Sequence, residues 1–331
     1  ISDGNYDCGT LVSHPTSTNN VRAFWIKYEL DQGNKTSNIS GPFTAEWTPG
    51  GTVSAQYVHG QNIYLSHDSA DGTNSTVLHE MGHNVHYNTG YMPDNDCPTP
   101  HYINRQGGEH CAWLEGWANG FGVMVNDSPQ RCYPPSGTSC IDLETEASID
   151  NCDMWDCFPD GYQVEGHTVG LLWDLMDNAT DGCDSWDYGT NEIWDLLEND
   201  MVDSVLEFRA DWITKGYSTN IHKLAYQNVA YDSSSSDCVI NCGLYSSGDN
   251  NPLNVCEGCK PSSSYYNWSP DNNGASCNDL KYCTENDQCS NGTCKGTTKN
   301  CNDGIDCTDD SCSESQRKCI NSPDDAYCDD G

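Results

Sequence analysis

The sequence predicts an α+β domain followed by a small, disulfide-rich repeat region. Three observations carry this prediction. From Ile1 to about Ser75, short runs alternate polar and apolar residues between Gly, Pro and Asn, which is typical of strands. From Thr76 to Lys215, apolar residues recur at mostly helical spacing. Beyond Tyr231 this periodicity ends and Cys dominates.

The segments follow in the order that an α+β domain requires, with strands before helices. We predict strands at residues 21–28, 53–58 and 61–66. We predict helices at residues 76–88, 113–125, 164–176 and 191–215, and we expect glycines in the second of them to let another helix pack closely. The loop between the first two helices, residues 91–111, is expected to line a cleft.

The domain boundaries are set by the change in composition. We predict the α+β domain over residues 1–232, a Cys-rich linker region over 233–276 and disulfide-rich repeats over 277–331. Cys283, Cys289 and Cys294 predict an 18-residue period, since Cys301, Cys307 and Cys312 follow at that spacing. The last four residues resemble the start of the preceding unit, so we expect the repeats to continue beyond residue 331.

Composition indicates a secreted glycoprotein of the extracellular space or the cell-surface matrix. The 331 residues include 21 Cys, which predicts an oxidising compartment. No apolar run approaches the roughly 18 residues of a membrane span, and a chain that starts at Ile1 suggests that a signal peptide was removed or not included. Seven sequons predict N-linked glycans, at Asn34, Asn38, Asn74, Asn126, Asn178, Asn267 and Asn291.

The charge excludes two classes of partner. A formal net charge of −36 argues against nucleic acid and anionic membranes, because both require a basic patch. Acidic side chains can also hold calcium, which prefers several oxygen ligands. Calcium is therefore a second candidate ion, at residues 181–184 or 302–306, although neither segment matches an EF-hand loop.

The first predicted helix contains the motif His-Glu-x-x-His, at residues 79–83. Residues four apart share one face of a helix, so His79 and His83 can direct imidazole nitrogens at one metal ion. Glu80 lies one step round the helix, where it can take a proton from a metal-bound water. Zinc suits this arrangement because it accepts imidazole and carboxylate ligands and keeps an open position in catalytic sites.

A catalytic zinc site requires a third protein ligand. The metzincin pattern is excluded, because Thr89 stands where its third His is needed. Glu109 and Glu115 both follow at a suitable distance, and Glu115 is preferred for its helical setting, Trp-Leu-Glu-Gly-Trp-Ala. Asn119 shares the helical face of Glu115 and could orient a zinc-binding histidine, or be an ordinary solvated helix residue.

These two motifs resemble those of the gluzincins, the thermolysin-like metallopeptidases in the broad sense. The resemblance implies a zincin-like metallopeptidase domain with a strand-rich N-terminal part and a helical C-terminal part. It implies that His79, His83 and Glu115 bind zinc and that Glu80 is the general base. Gluzincins also use a Tyr or His to stabilise the oxyanion, which makes His167 a candidate and Tyr162 its rival.

The Cys repeats are similar to short Cys-rich repeats of extracellular-matrix proteins, such as slime-mould stalk proteins, with residues 301–312 as the best match. That similarity implies spacer or matrix modules, with the chain itself or matrix proteins as possible partners.

The leading hypothesis is a secreted zinc-dependent endopeptidase acting on a protein or peptide substrate. The alternative is a structural subunit of an extracellular fibre or matrix, in which the peptidase-like domain serves as an assembly scaffold.

Overall fold

The computed structural model describes residues 17–37, 44–47, 55–58, 60, 62–65, 74–133, 139–144, 161–179, 189–228 and 236–324. The chain divides into two compact units, Ile1–Ser234 and Ser235–Gly331. Helices and strands are mixed in the first unit, and the described part of the second consists of short strands and turns. Among the described residues, no helix is both long enough and apolar enough to cross a membrane.

Seven helices make up more than half of the described residues of the first unit, and a 3₁₀ helix at Gly161–Gln163 precedes the fourth. In chain order they are α1 Ser17–Thr36, α2 Asn74–Asn88, α3 Glu109–Asn126, α4 Glu165–Met176, α5 Asn191–Asn199, α6 Val205–Thr214 and α7 Ile221–Gln227.

The strands of the first unit are short. β1 Ala45–Trp47, β2 Gln56–Tyr57 and β3 Ile63–Leu65 form a sheet of order β1-β3-β2. In that sheet β1 is parallel and β2 antiparallel to β3, so β2 is an edge strand. After α3, β4 Gln130–Tyr133 and β5 Ser139–Asp142 form an antiparallel pair.

The strand predicted at residues 21–28 is wrong, because these residues lie inside α1. Ile26, Leu30 and Gly33 are buried while Lys27 and Tyr28 are exposed, which is the burial pattern of a helix. β-branched and aromatic side chains favour a strand locally, but packing against a neighbouring helix overrides that preference. The N-terminal part is consequently less rich in strands than expected.

The other predicted elements fit better. β2 and β3 lie within the predicted strands, and α2, α3 and α4 coincide with predicted helices to within a few residues. The helix predicted at 191–215 is two helices, α5 and α6. Ser204 begins the second of them, since its Oγ accepts a hydrogen bond from the Glu207 backbone N–H at 3.2 Å.

Helix α3 is the centre of the first unit. Every residue from Cys111 to Val123 is buried. Trp113, Trp117 and Phe121 lie four residues apart and therefore form one aromatic stripe, which packs on Phe208 and Trp194. Burying each of these side chains contributes about 1.5–3 kcal/mol or more, so this helix is the main source of stability around which α2 and α4 pack.

Glycines let the neighbouring helices approach α3 closely, as the sequence predicts. A Cβ on Gly82 of α2 would stand 2.8 Å from Ala118 Cα, and one on Gly116 would stand 2.5 Å from Thr168 Cβ of α4. At the first of these crossings the Trp117 Nε1–H donates to the Gly82 carbonyl oxygen at 3.0 Å. The axial position of α2 on α3 is thus fixed by contact and by a buried hydrogen bond.

The second unit is held mainly by disulfides. Its strands are β6 Asp237–Ile240, β7 Gly243–Ser246, β8 Asn250–Asn251, β9 Asn254–Lys260, β10 Ser264–Pro270, β11 Thr284–Ser290, β12 Thr293–Thr298, β13 Thr308–Ser313 and β14 Lys318–Pro323. Its described disulfides are Cys238–Cys259, Cys256–Cys289, Cys277–Cys294, Cys283–Cys312 and Cys301–Cys319.

The repeat spans 24 residues rather than the predicted 18. Asn278 and Asp279 accept hydrogen bonds from the backbone two residues on, and Asn302 and Asp303 repeat these bonds. The disulfides Cys277–Cys294 and Cys301–Cys319 occupy the same place in the two units. Cys spacing alone misleads because intervals of six and then five residues occur both from Cys283 to Cys294 and from Cys301 to Cys312. The disulfides instead align Cys277 with Cys301.

The close crossing of α2 and α3 yields a prediction. Replacing Gly82 with Ala puts a methyl group against the backbone of Ala118, which cannot move alone, so we expect a loss of about 1–3 kcal/mol of stability. The measurement is the thermal unfolding midpoint of each variant. Gly122→Ala is the matched control: its Cβ would meet only Leu78 Cβ at 3.7 Å, and the gain in helix propensity is worth up to about 1 kcal/mol. Equal destabilisation by both variants would contradict the claim that the close crossing of α2 and α3 requires a glycine at position 82.

Glu29 carries a second prediction. It is 3% exposed on the inner side of α1, and burial raises the pKa of its carboxyl from 4.5 to about 8. The folded state therefore holds a proton that the unfolded chain releases above pH 4.5. The stability that depends on the uncharged Glu29 carboxyl is fully present below pH 4.5 and is lost as the pH rises to about 8. The free energy of unfolding falls by at most about 5 kcal/mol over this range.

We expect Glu29→Gln to remove this pH dependence, because the amide stays neutral throughout. The variant should match the parent protein near pH 4.5 and unfold at a higher temperature than the parent near pH 8. Glu46→Gln, at an exposed position of β1, is the control and should leave both midpoints unchanged. A constant difference between Glu29→Gln and the parent across this range would refute the explanation.

Candidate metal centre

Three side chains from α2 and α3 converge on one point. His79 Nε2 lies 3.1 Å and His83 Nε2 lies 3.4 Å from Glu115 Oε2. All three side chains are nearly buried, with 12%, 10% and 7% of their surfaces exposed. His79 and His83 are one helical turn apart on α2, and Glu115 stands two residues from the Trp117 that fixes α3 against α2.

The charges of this cluster are coupled. Burial acts to raise the pKa of the Glu115 carboxyl, but the charges and hydrogen bonds of His83 and His79 hold that pKa well below its usual range. Burial acts to lower the pKa of His83, and Glu115 reverses the effect, so that the pKa is raised. The Glu115 carboxylate and the His83 imidazole thus stabilise each other's charged forms, and a divalent cation can take the place of the proton between them.

The donor set fits zinc. Two imidazole nitrogens and one carboxylate oxygen are ligands that zinc accepts, and three protein ligands leave the fourth position open. Their ligand atoms all lie within 4.8 Å of one another. His79, His83 and Glu115 are therefore the residues that could hold the ion, in agreement with the preference for Glu115 over Glu109. Glu109 instead begins α3 and forms a separate group with His110 and Asp203.

Asn119 contacts the outer side of His79, and Arg131 contacts Asn119. His79 Nδ1 lies 2.8 Å from Asn119 Oδ1, and the Arg131 guanidinium donates to the same oxygen through Nη1. Asn119 is 4% exposed, so it is a buried residue of α3 and not a solvated one. Arg131 comes from β4, which follows α3 directly and was not singled out from the sequence.

The cluster opens into a pocket. Glu80, 7% exposed, lines it beside the two histidines. One side of the pocket is formed by the edge strand β2 and the residue before it, and the other by the loop between α2 and α3. The remaining lining residues are Ala55, Gln56, Tyr57, Met92, Asn95, His101 and Leu114. The loop thus lines a cleft, as predicted.

His101 is a titratable residue of the pocket lining that was not singled out from the sequence. Its Nδ1 lies 2.7 Å from Glu165 Oε1, whose side chain is 3% exposed at the start of α4. This hydrogen bond raises the pKa of the His101 imidazole above its ordinary value. Backbone hydrogen bonds anchor the same loop, from Gly166 N to Ile103 O at 2.8 Å and from Gly107 N to Gln163 O at 2.9 Å.

A disulfide adds to this anchoring, because Cys97–Cys111 ties the loop to the first turn of α3. The one sequence signal for His101 is its place in a loop that joins the two motif helices. That signal names the loop but not the residue, because the Glu165 partner comes from 64 positions further along the chain.

His167 and Tyr162 do not line the pocket. His167 is 3% exposed, and its Nδ1 lies 3.0 Å from the Gly161 carbonyl oxygen. Tyr162 packs against the core, and its hydroxyl oxygen accepts a hydrogen bond from Gln163 Nε2 at 2.9 Å. At the start of α4, the side chain that reaches the loop beside the pocket is that of Glu165. A role for His167 or Tyr162 at the oxyanion stays a prediction.

The two calcium candidates have different outcomes. Residues 181–184 lie outside the described residues. At residues 302–306, Asn302 and Asp303 accept backbone hydrogen bonds from Gly304 and Ile305, and the Thr308 hydroxyl donates to Asp303. These side chains shape a turn, and no group of three metal-ligating side chains is found there among the described residues. Calcium binding stays a prediction.

The sequons also remain predictions. Asn178, Asn267 and Asn291 are exposed, and Asn34 and Asn126 are half-buried. Asn38 and the side chain of Asn74 lie outside the described part of the chain.

Comparison with known proteins gives one finding. A family model, the mycolysin C-terminal domain, matches residues 30–228, which is more than half of the chain. The matched span contains α2, α3 and every residue of the cluster. No curated protein and no solved structure matches the chain.

Proposed function

From the premise that this chain belongs to the mycolysin C-terminal domain family, we propose that it is a secreted, zinc-dependent endopeptidase with a zincin-like domain. Family membership associates the chain with peptidases. The observation that carries the proposal is the convergence of His79, His83 and Glu115 beside Glu80 in one pocket. The disulfides of both units support an extracellular location.

Each residue of the pocket has a separate task. When bound, a zinc ion supplies Lewis acidity, which polarises a carbonyl group and lowers the pKa of water. Glu80 accepts a proton from the water that attacks the scissile carbonyl carbon. As the carbon–nitrogen bond breaks, Glu80 delivers this proton to the leaving amine nitrogen. β2 lies at the edge of the described sheet, along which an extended peptide can bind.

We propose His101, rather than His167, as the donor to the oxyanion. Its Nδ1 is engaged by Glu165, so the other ring nitrogen, Nε2, is available for a substrate. The buried carboxylate of Glu165 favours the protonated imidazole, which donates a stronger hydrogen bond to a developing negative charge than a neutral ring does. The anchored loop keeps the ring in position before the reaction.

Glu80→Gln tests the base. The amide cannot accept the proton of water, so we expect cleavage of an unfolded protein substrate to fall at least about 100-fold. Zinc content should be unchanged, because Glu80 is not a proposed ligand. Glu109→Gln, at the start of α3, is the matched control and should keep the parent activity. Parent-level cleavage by Glu80→Gln would end this mechanism.

His101→Gln tests the oxyanion donor. We expect kcat to fall about 100-fold to 1000-fold with little change in KM, since the interaction strengthens only in the transition state. The comparison is His167→Gln, which removes a histidine outside the pocket. A larger loss of kcat for His167→Gln than for His101→Gln, in proteins that unfold at the same temperature, would return the role to His167.

The structural-subunit hypothesis is the second candidate. Within 236–324 the disulfide Cys283–Cys312 links two successive repeats, and units joined in this way can act as spacers. A scaffold makes no use of the cluster in the pocket. Filament formation by a protein that neither binds zinc nor cleaves peptides would favour this second candidate.

A further inference from the structure

Arg131 lies next to the metal centre but does not line its pocket. β4 follows the end of α3 and pairs with β5, with Arg131 opposite Ile141. In this way the chain brings the guanidinium back to Asn119, twelve residues earlier on α3. The guanidinium donates to the oxygen that also contacts His79 Nδ1. Arg131, Asn119 and His79 therefore form a continuous chain of hydrogen bonds.

The chemistry of these groups settles which atom carries each proton. A guanidinium only donates, so the amide atom that it contacts must be the Asn119 oxygen. Because that oxygen only accepts, the hydrogen bond to His79 requires a proton on Nδ1. When an ion is bound, the lone pair of His79 is then on Nε2, the nitrogen that faces Glu115 at 3.1 Å. This is the tautomer that a zinc ligand requires.

A second observation shows that Asn119 is held in this orientation at a cost. Its Nδ2 is buried and has no hydrogen-bond partner among the described residues. An unsatisfied buried donor is unfavourable, because it has lost its hydrogen bonds to water. With the amide reversed, Nδ2 would donate to His79 Nδ1 and force the histidine proton onto Nε2. The reversed amide would also direct its N–H groups at the guanidinium, so Arg131 excludes this arrangement.

We propose that Arg131 is a positioning residue of the metal centre, which acts through Asn119 to keep the proton of His79 on Nδ1 and to free Nε2 for the ion. The inference rests on the proposed zinc site. It has a cost in charge, since a permanent cation near a divalent ion weakens binding of that ion. Arg131 therefore has two opposite effects on zinc affinity. The orientation of His79 increases the affinity, and repulsion between the guanidinium and the ion decreases it.

The test measures zinc affinity of the full chain by competition with a chelator, for the parent, Arg131→Met and Arg131→Leu. Both substitutions keep an apolar stem and remove the donors, and having two guards against a folding failure of one. We expect each to weaken zinc binding by about tenfold or more. Arg131→Lys keeps a charged donor and should stay within about threefold of the parent. Circular dichroism and unfolding midpoints establish that the variants fold.

The control is Arg131→Met made together with Asn119→Asp. It distinguishes a positioning role of Arg131 from a merely structural one. A carboxylate accepts from His79 in either orientation, so orientation no longer depends on Arg131. In that background Arg131→Met should leave zinc affinity unchanged or increase it. Long-range ¹H–¹⁵N correlation on the zinc-loaded parent should find the His79 proton on Nδ1, which requires no variant.

The outcomes are distinct. Weaker zinc binding by Arg131→Met in the parent but not beside Asn119→Asp supports the proposal. Unchanged or tighter binding in the parent background, or a His79 proton on Nε2, overturns it and leaves the proposed zinc site standing. A parent chain that binds no zinc overturns the proposed function, and this inference falls with it.

Discussion

The crossing of α2 and α3 is the constraint on which the candidate site depends. Gly82 has no side chain where α2 meets Ala118, and the Trp117 indole bonds the Gly82 carbonyl oxygen. The ligands follow from this contact, because His83 is the next residue on α2 and Glu115 lies two residues before Trp117. The close contact of two packed backbones thus sets the separation of three polar atoms. Flexible side chains alone could not hold it inside an aromatic core.

The core also explains why the cluster points to a cation. One carboxylate and two imidazoles lie nearly buried beside the aromatic stripe of α3. Burying such groups is costly unless they are paired, and among the described residues they pair with each other and with Asn119. A shared divalent ion satisfies the lone pairs of all three side chains at once. The arrangement is therefore better explained as a binding site than as a stabilising feature.

Sequence patterns predicted those features that depend on residues close together in the chain. The helical spacing of His79 and His83 and the setting of Glu115 predicted three side chains that the structure brings together, since each pattern depends on a few neighbouring residues. The strand predicted at 21–28 was wrong because the burial of Ile26 and Leu30 against other helices decides the state of that segment. The repeat length was wrong because the same Cys intervals recur at positions that are not equivalent in the disulfide pattern.

His101 and Arg131 could not be found in this way. Each contacts a partner that the fold supplies, Glu165 in one case and Asn119 in the other, and its proposed role depends on that partner. No spacing rule links a loop histidine to a helix start 64 residues away. Such partners become visible only when the helices are assembled, which is why the ligands of a site are easier to predict than the groups that tune it.

The most direct test of the account is X-ray absorption at the zinc edge on the full chain, after metal removal and loading with one equivalent of zinc. The account predicts one tightly bound ion with two imidazole ligands and one carboxylate. It also predicts that Glu115→Ala changes this coordination while Glu109→Ala does not. Zinc that remains loosely bound, or an identical spectrum for Glu115→Ala, would contradict the claim that α2 and α3 build a metal centre.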